Sequence, residues 1–327
     1  MNKIKRSGKM LKAALAVLLR EKKLLLFPVV ATGFALCIAM FFIAPIVLYP
    51  TGHSCFSAAH WSALVSKAGN WFGVAPDQHG HVHASMVNIG SVLNNHPVTE
   101  VFFAMAYFVS MFLATFCNVA FYHEIMQALN GNAVSIRRGF RFALARWRAV
   151  LLWSLFAGLV GWLIQMIQER LGFFGRIITG LTGFVWSVAC IFIIPTLVRE
   201  TAHNNPITML RSSVGTLQRT WGETVVGFVG IGLLSALSFG TMIIGILLTL
   251  GIPMFVFRSA HPSIEPRHLM YFQGGIFIVA VLVATFLSYL AGLLNNIYRC
   301  ALYIYATEGV IPGSFDKELL DSAWKVK

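Results

Sequence analysis

Six stretches of this sequence run for about the thickness of a bilayer without one charged side chain, and segments richer in lysine and arginine lie between them. A helix rising ~1.5 Å per residue needs about 20 apolar residues to cross roughly 30 Å of hydrocarbon, where it must satisfy its own backbone amides. Only 11% of the residues are charged and 57% are hydrophobic. Soluble domains carry about 25% charge, so no water-soluble core accounts for these stretches. The expected fold class is all-α: a polytopic integral membrane helical bundle of about six transmembrane helices.

The spans are expected at about 24–49, 101–127, 149–167, 177–198, 224–250 and 275–297, with a short turn at 168–175. The fifth apolar stretch, 224–257, is ambiguous, because a continuous helix there would reach about 51 Å and overshoot the membrane. Pro253 lacks a backbone donor and clashes with the turn before it. The span is therefore expected to end near Leu250, with 253–257 along the outer interface; splitting the stretch into two spans would put the tail outside and spoil the charge bias between the two sides.

Lysine and arginine fall unevenly on the two sides of this scheme. The N-terminal arm holds eight, from Lys3 to Lys23. The segment after the second span holds five (Arg137, Arg138, Arg141, Arg146, Arg148), that after the fourth three (Arg199, Arg211, Arg219) and the tail four (Arg299, Lys317, Lys325, Lys327). The other side holds Lys67, Arg170, Arg176, Arg258 and Arg267. Basic segments stay in the cytoplasm, so six crossings with both termini there are expected. The first apolar run is too long for the core of a cleaved signal, and no small-residue cleavage site follows Tyr49, so it is expected to be a retained span. The net charge of +13 is scattered among these segments rather than gathered in one stripe, and nucleic acid is not an expected partner.

The chain thus divides into a basic amphipathic cytoplasmic helix (1–23), a six-span domain (24–298) with an outer loop (50–100), and a cytoplasmic tail (299–327). In the tail, Ser314 is a candidate cap for a short helix from Phe315 to Trp324. Three amphipathic basic segments precede odd-numbered spans: Ser7 to Lys23, Ser135 to Arg148 and Pro206 to Arg219. Asn205-Pro206 reads as a helix cap followed by proline in the first helical position. These segments are expected to be elbow helices at the inner interface, with Leu11, Leu15 and Leu18 dipping into lipid and the cations meeting anionic headgroups. Membrane sensing or lipid handling is one reading of them; the favoured one is that they are topology anchors and helix elbows.

Small residues recur every four positions in three spans: Ala280, Ala284, Ser288 and Gly292; Thr179, Gly183 and Ser187; Gly232, Ala236 and Gly240. Such faces let backbones approach, within one chain or between copies.

Chemistry-bearing residues are sparse. Six histidines (His53, His60, His79, His81, His83, His96) lie in the outer loop, and the alternation of His79, His81 and His83 would put three rings on one side of an extended strand. The loop has no glutamate and a single aspartate, Asp77, so a solvated polar loop is the favoured reading over a metal site, and no metal ligand is assigned. Cys37, Cys117, Cys190 and Cys300 sit in apolar runs and Cys55 alone in the loop, which implies no disulfide framework. Ionisable groups inside a bilayer are costly and mark transport pathways. Here the polar exceptions are Asn118, Gln165, Asn295, Asn296 and Glu124, which disfavours ion-coupled transport. There is no P-loop and no GxSxG, and Gly227, Gly230 and Gly232 lie in an apolar run suited to packing. The chain is not expected to be an enzyme, and no catalytic or cofactor-binding residue is assigned.

The segment from Ala301 through Ile311-Pro312-Gly313-Ser314-Phe315-Asp316 to Leu320, with Lys22-Lys23-Leu24-Leu25-Leu26-Phe27-Pro28, resembles a family of uncharacterised six-helix bacterial membrane proteins, known as a domain of unknown function. The basic elbow before a span is more remotely similar to the membrane domain attached to some glycerophosphodiester phosphodiesterases, whose catalytic domain has no counterpart here. The first resemblance implies a bacterial inner membrane and carries no activity or site residue; the His-rich outer loop departs from it. The expected function is therefore non-enzymatic, acting through contacts with membrane lipids, a membrane-protein partner or a second copy. A small-molecule or lipid transporter and a metal-handling protein using the outer histidines are the alternatives.

Overall fold

A computed structural model of the chain describes residues 3–47, 51–54, 57–63, 97–170, 172–200, 204–219, 239–245, 247, 266–312 and 315. The helices are α1 (Lys3–Arg20), α2 (Leu26–Val47), α3 (Pro97–Leu129), α4 (Ile136–Ala145), α5 (Trp147–Arg170), α6 (Gly172–Ala189), α7 (Ile193–Arg199), α8 (206–219) and α9 (Pro266–Glu308). No strand occurs among the described residues. Lys22–Ala44, Ala104–Leu129, Trp147–Gln168, Gly180–Arg199 and Gly274–Glu308 are long and apolar enough to cross a membrane. The protein is a multi-pass helical membrane protein. Of the expected fifth span, only 239–245 and 247 fall among the described residues, and they are helical.

The helices differ from the expected spans where local chemistry overrides apolar run length. Glu21 leaves helical geometry (φ −115°, ψ 69°), and a 3₁₀ turn, Lys22–Leu25, leads into α2, so the expected arm helix ends at Arg20. α3 is longer than its apolar run and ends at Leu129, two residues before Gly131, whose φ of +86° suits a residue without a Cβ. The turn expected at 168–175 is largely helical. α9, expected to end near Ile297, continues to Glu308 and stops at Gly309 (φ +66°). Its 43 residues would reach roughly 64 Å, twice the hydrocarbon thickness.

The fourth span breaks at Cys190–Phe192. Pro195 has no amide to give the Ile191 carbonyl and its ring crowds that turn, so α6 stops and α7 restarts from Phe192.

The chain forms two compact units: Met1–Leu26 with Val119–Ala145 and Thr182–Lys327, and Phe27–Asn118 with Arg146–Leu181. In the second unit, Gly158 of α5 admits the aromatic residues of α3. A Cβ there would meet Phe108 Cε1 at 2.9 Å, and the Tyr107 hydroxyl donates to the Gly158 carbonyl at 3.3 Å. In the first unit, Gly245 abuts Ala280, where a Cβ would come within 2.2 Å of the alanine methyl. Of the expected small faces, Gly183, Gly240 and Gly292 meet nothing within 4 Å.

The core of the first unit gathers at one end of its helices. Val119 to Leu129 of α3 and Ala291 to Ile304 of α9 contribute most of their side chains to it, with Ile193, Leu197, Met209 and Phe315 also buried. Val281, Leu282, Val283 and Phe286 of α9 are exposed, as a lipid-facing helix requires. α1 packs on α9 through Ala13, Ala14, Val17 and Leu18. Leu18, expected in lipid, is thus buried in protein, because it lies on the same helical face as Ala14; Leu15 and Leu19 point away.

Candidate functional site

A belt of polar contacts ties the helix ends of the first unit together, and its centre is Glu124. The carboxylate is fully buried near the end of α3. It accepts from Arg138 Nε at 2.8 Å, from Arg138 Nη2 at 2.6 Å and from the Ser135 amide at 2.7 Å, with His123 Nδ1 3.1 Å away. The His123 ring stacks on Phe142 at 4.1 Å. A chain turning from α3 into α4 leaves the amides of the first α4 turn without helical acceptors, and Glu124 meets that need from the preceding helix. Its bonds to Arg138 push the guanidinium above the ordinary arginine value, so α4 is fastened by a charge-assisted pair.

The N-terminal arm joins the same linker. Glu21 accepts the Val134 amide at 3.2 Å, and Arg20 donates to the Ala128 carbonyl. The Tyr289 hydroxyl of α9 donates to the Leu25 carbonyl, and the Tyr122 hydroxyl donates to Asn296 Oδ1 at 2.9 Å.

A second group repairs the break in the fourth span. Ser213 of α8, fully buried, accepts the Phe192 amide at 3.2 Å and donates to the Ala189 carbonyl at 2.6 Å. Here one hydroxyl serves two of the backbone groups that the break leaves without helical partners. Ser212 donates to Glu200 beside it. The expected start of α8 is also present, since Asn205 Oδ1 accepts the Ile207 amide at 3.0 Å. Arg199, at the end of α7, pairs with Glu308, at the end of α9, at 3.0 Å.

Among the sequence candidates, Glu124 and Asn296 are brought into this belt, whereas Asn118 and Gln165 are exposed. His79, His81, His83 and His96 lie outside the described residues, as do Cys55 and the expected tail helix apart from Phe315. His60 is buried, with Nδ1 against the Thr51 hydroxyl. Sequence reasoning missed Ser213, Glu21 and the pairing role of Arg138. The signal for Arg138 was there: an arginine three residues beyond Ser135, opposite a carboxylate at the end of an apolar run.

Residues 98–313, well over half of the chain, match one family profile. The chain belongs to the family of unknown function DUF6159. No curated protein and no solved structure matches it. The DUF6159 region contains Glu124, Ser135, Arg138, Ser213 and the Arg199–Glu308 pair, while Arg20 and Glu21 reach that belt from outside it.

Proposed function

We propose that this DUF6159 protein crosses a bacterial inner membrane six times with both termini in the cytoplasm, and that it works without catalysis, through contacts its basic end makes with lipid or a protein partner. The Arg199–Glu308 pair is the observation that supports this topology: it brings the ends of α7 and α9 together, as expected of two spans that end on one side of a membrane. A chain that leaves at Arg199 and returns to that side through α9 must cross an odd number of times between 200 and 265. One crossing by 224–250 meets that requirement, which supports six spans over five or seven. The 20-to-5 distribution of cations supports a cytoplasmic assignment for that side. The non-catalytic reading is supported by the state of these groups: Glu124 and Arg138 are engaged with each other at the start of α4, and Ser213 is engaged with the break between α6 and α7. The three basic segments keep their place as elbows in this reading, with the correction that α1 lies on α9 by its small-residue face.

The test is sidedness. In intact cells, in a background whose native cysteines are alanine, His261→Cys is expected to react with an impermeant maleimide and a cysteine appended after Lys327 to react only after lysis. Labelling of the appended cysteine from outside would overturn the reading.

One observation favours a second reading, a lipid transporter. An apolar groove of about 670 Å³ lies in the first unit between 241–245 and α9, lined by Ile244, Tyr271, Val279 and Val283, a volume within the roughly 300–1,000 Å³ of small-molecule sites. A photoactivatable acyl chain cross-linking to Val279 would support it, and cross-linking spread evenly over exposed Phe277, Ile278 and Leu282 would dismiss it.

A further inference from the structure

The outward face of α1 is built for a surface that is apolar and anionic at once. Its inward residues, Ala13, Ala14, Val17 and Leu18, are at most 8% exposed, whereas Leu15 and Leu19 opposite them are 37% and 61% exposed. Lys12 lies exposed one turn before these leucines, and Lys22 and Lys23 lie exposed just after them. Water is a poor neighbour for Leu19 and hydrocarbon a poor one for lysine; the boundary between headgroups and acyl chains suits both.

Two further observations place the face there. The membrane-crossing stretch that begins at Lys22 starts two residues beyond α1, so α1 ends at the interface. The helix is also held: Arg20 donates to the Ala128 carbonyl, and Glu21, the one carboxylate between Lys3 and Leu25, is turned to the Val134 amide. That leaves the exposed charge of this face positive.

We propose that the Lys12–Leu15–Leu19 face of α1, with Lys22 and Lys23, docks on anionic phospholipid headgroups, the two leucines inserted at the acyl boundary. It deepens the reading of the basic end as a contact surface, and rests on it only for the choice of leaflet.

The test uses the full chain reconstituted in liposomes, with Leu19→Cys carrying an environment-sensitive fluorophore in a background whose native cysteines are alanine. Each lysine near an anionic surface contributes on the order of a tenfold or smaller gain in partitioning, so liposomes containing phosphatidylglycerol are expected to shield the label from acrylamide at least ~5-fold better than pure phosphatidylcholine, with ~0.5 M salt removing the difference. Lys12→Gln in the same chain is expected to lose part of that shielding. Equal quenching in the two lipids, or shielding indifferent to salt, would overturn the proposal. The unmodified protein gives an independent reading: a lysine-specific protease is expected to cut after Lys12 more slowly in the anionic liposomes, and an unchanged rate would count against docking. Labelling of Leu19→Cys from outside intact cells by an impermeant reagent would instead sink the cytoplasmic assignment, leaving the liposome result to judge docking.

Discussion

Replacing Arg138 by glutamine is predicted to harm the protein more than replacing Glu124 by glutamine, although Glu124 is the buried member of the pair. The reason is where each leaves a charge. The Glu124 side chain is 0% exposed and that of Arg138 is 42% exposed. In Glu124→Gln, the amide oxygen in place of Oε2 still accepts from the Ser135 amide and Arg138 Nη2, now without charge, and the NH2 turns toward Arg138 Nε, while the freed guanidinium rehydrates. With charged hydrogen bonds worth roughly 1.5–3 kcal/mol and neutral ones about 0.5–1.5, the cost is about 2–3 kcal/mol. In Arg138→Gln the carboxylate stays buried beside the Ser135 amide and His123, and stripping a buried charge of its counterion costs roughly 3–5 kcal/mol. Hydrogen exchange at the Val134 and Ser135 amides reads this as local opening. At about 1.4 kcal/mol per tenfold, Glu124→Gln is expected to accelerate exchange about 30- to 150-fold and Arg138→Gln more. The double substitution is expected to fall short of the sum by roughly 1.5–3 kcal/mol. A coupling below about 0.5 kcal/mol, or the reverse order of the single variants, would refute the account of Glu124 as the acceptor that fastens α4.

Ser213→Ala strips a partner from the Phe192 amide and the Ala189 carbonyl together, and is expected to cost about 2–4 kcal/mol; faster exchange at 190–193 is the readout. Gly158→Val drives a side chain into Phe108, 2.9 Å from the first added atom, and is expected to cost roughly 1–3 kcal/mol. Tyr122→Phe leaves Asn296 Oδ1 without its donor and should lower the thermal midpoint of the purified protein in detergent by an amount equivalent to about 1 kcal/mol. Glu308→Gln should change stability by less than about 1 kcal/mol, because the pair it breaks is about one-third exposed on each side and solvent screens it; that pair reports where two helices end rather than what holds them.

What the sequence alone determined is what a bilayer demands. Charge-free runs of the right length force helices, and five of the six expected spans meet helices long and apolar enough to cross. The cap at Asn205 was equally legible, since it is set by neighbours a few residues away. Tertiary structure alone decided the rest. No local pattern marks Ser213 as the residue that repairs a helix 21 positions earlier, because a serine on an amphipathic helix reads the same whether it faces water or an orphaned amide. Nor does one distinguish Leu18 from Leu15, one buried and one exposed. Apolar character tells a side chain to leave water; lipid and protein interior satisfy that equally, and only the packing of α1 on α9 chooses between them.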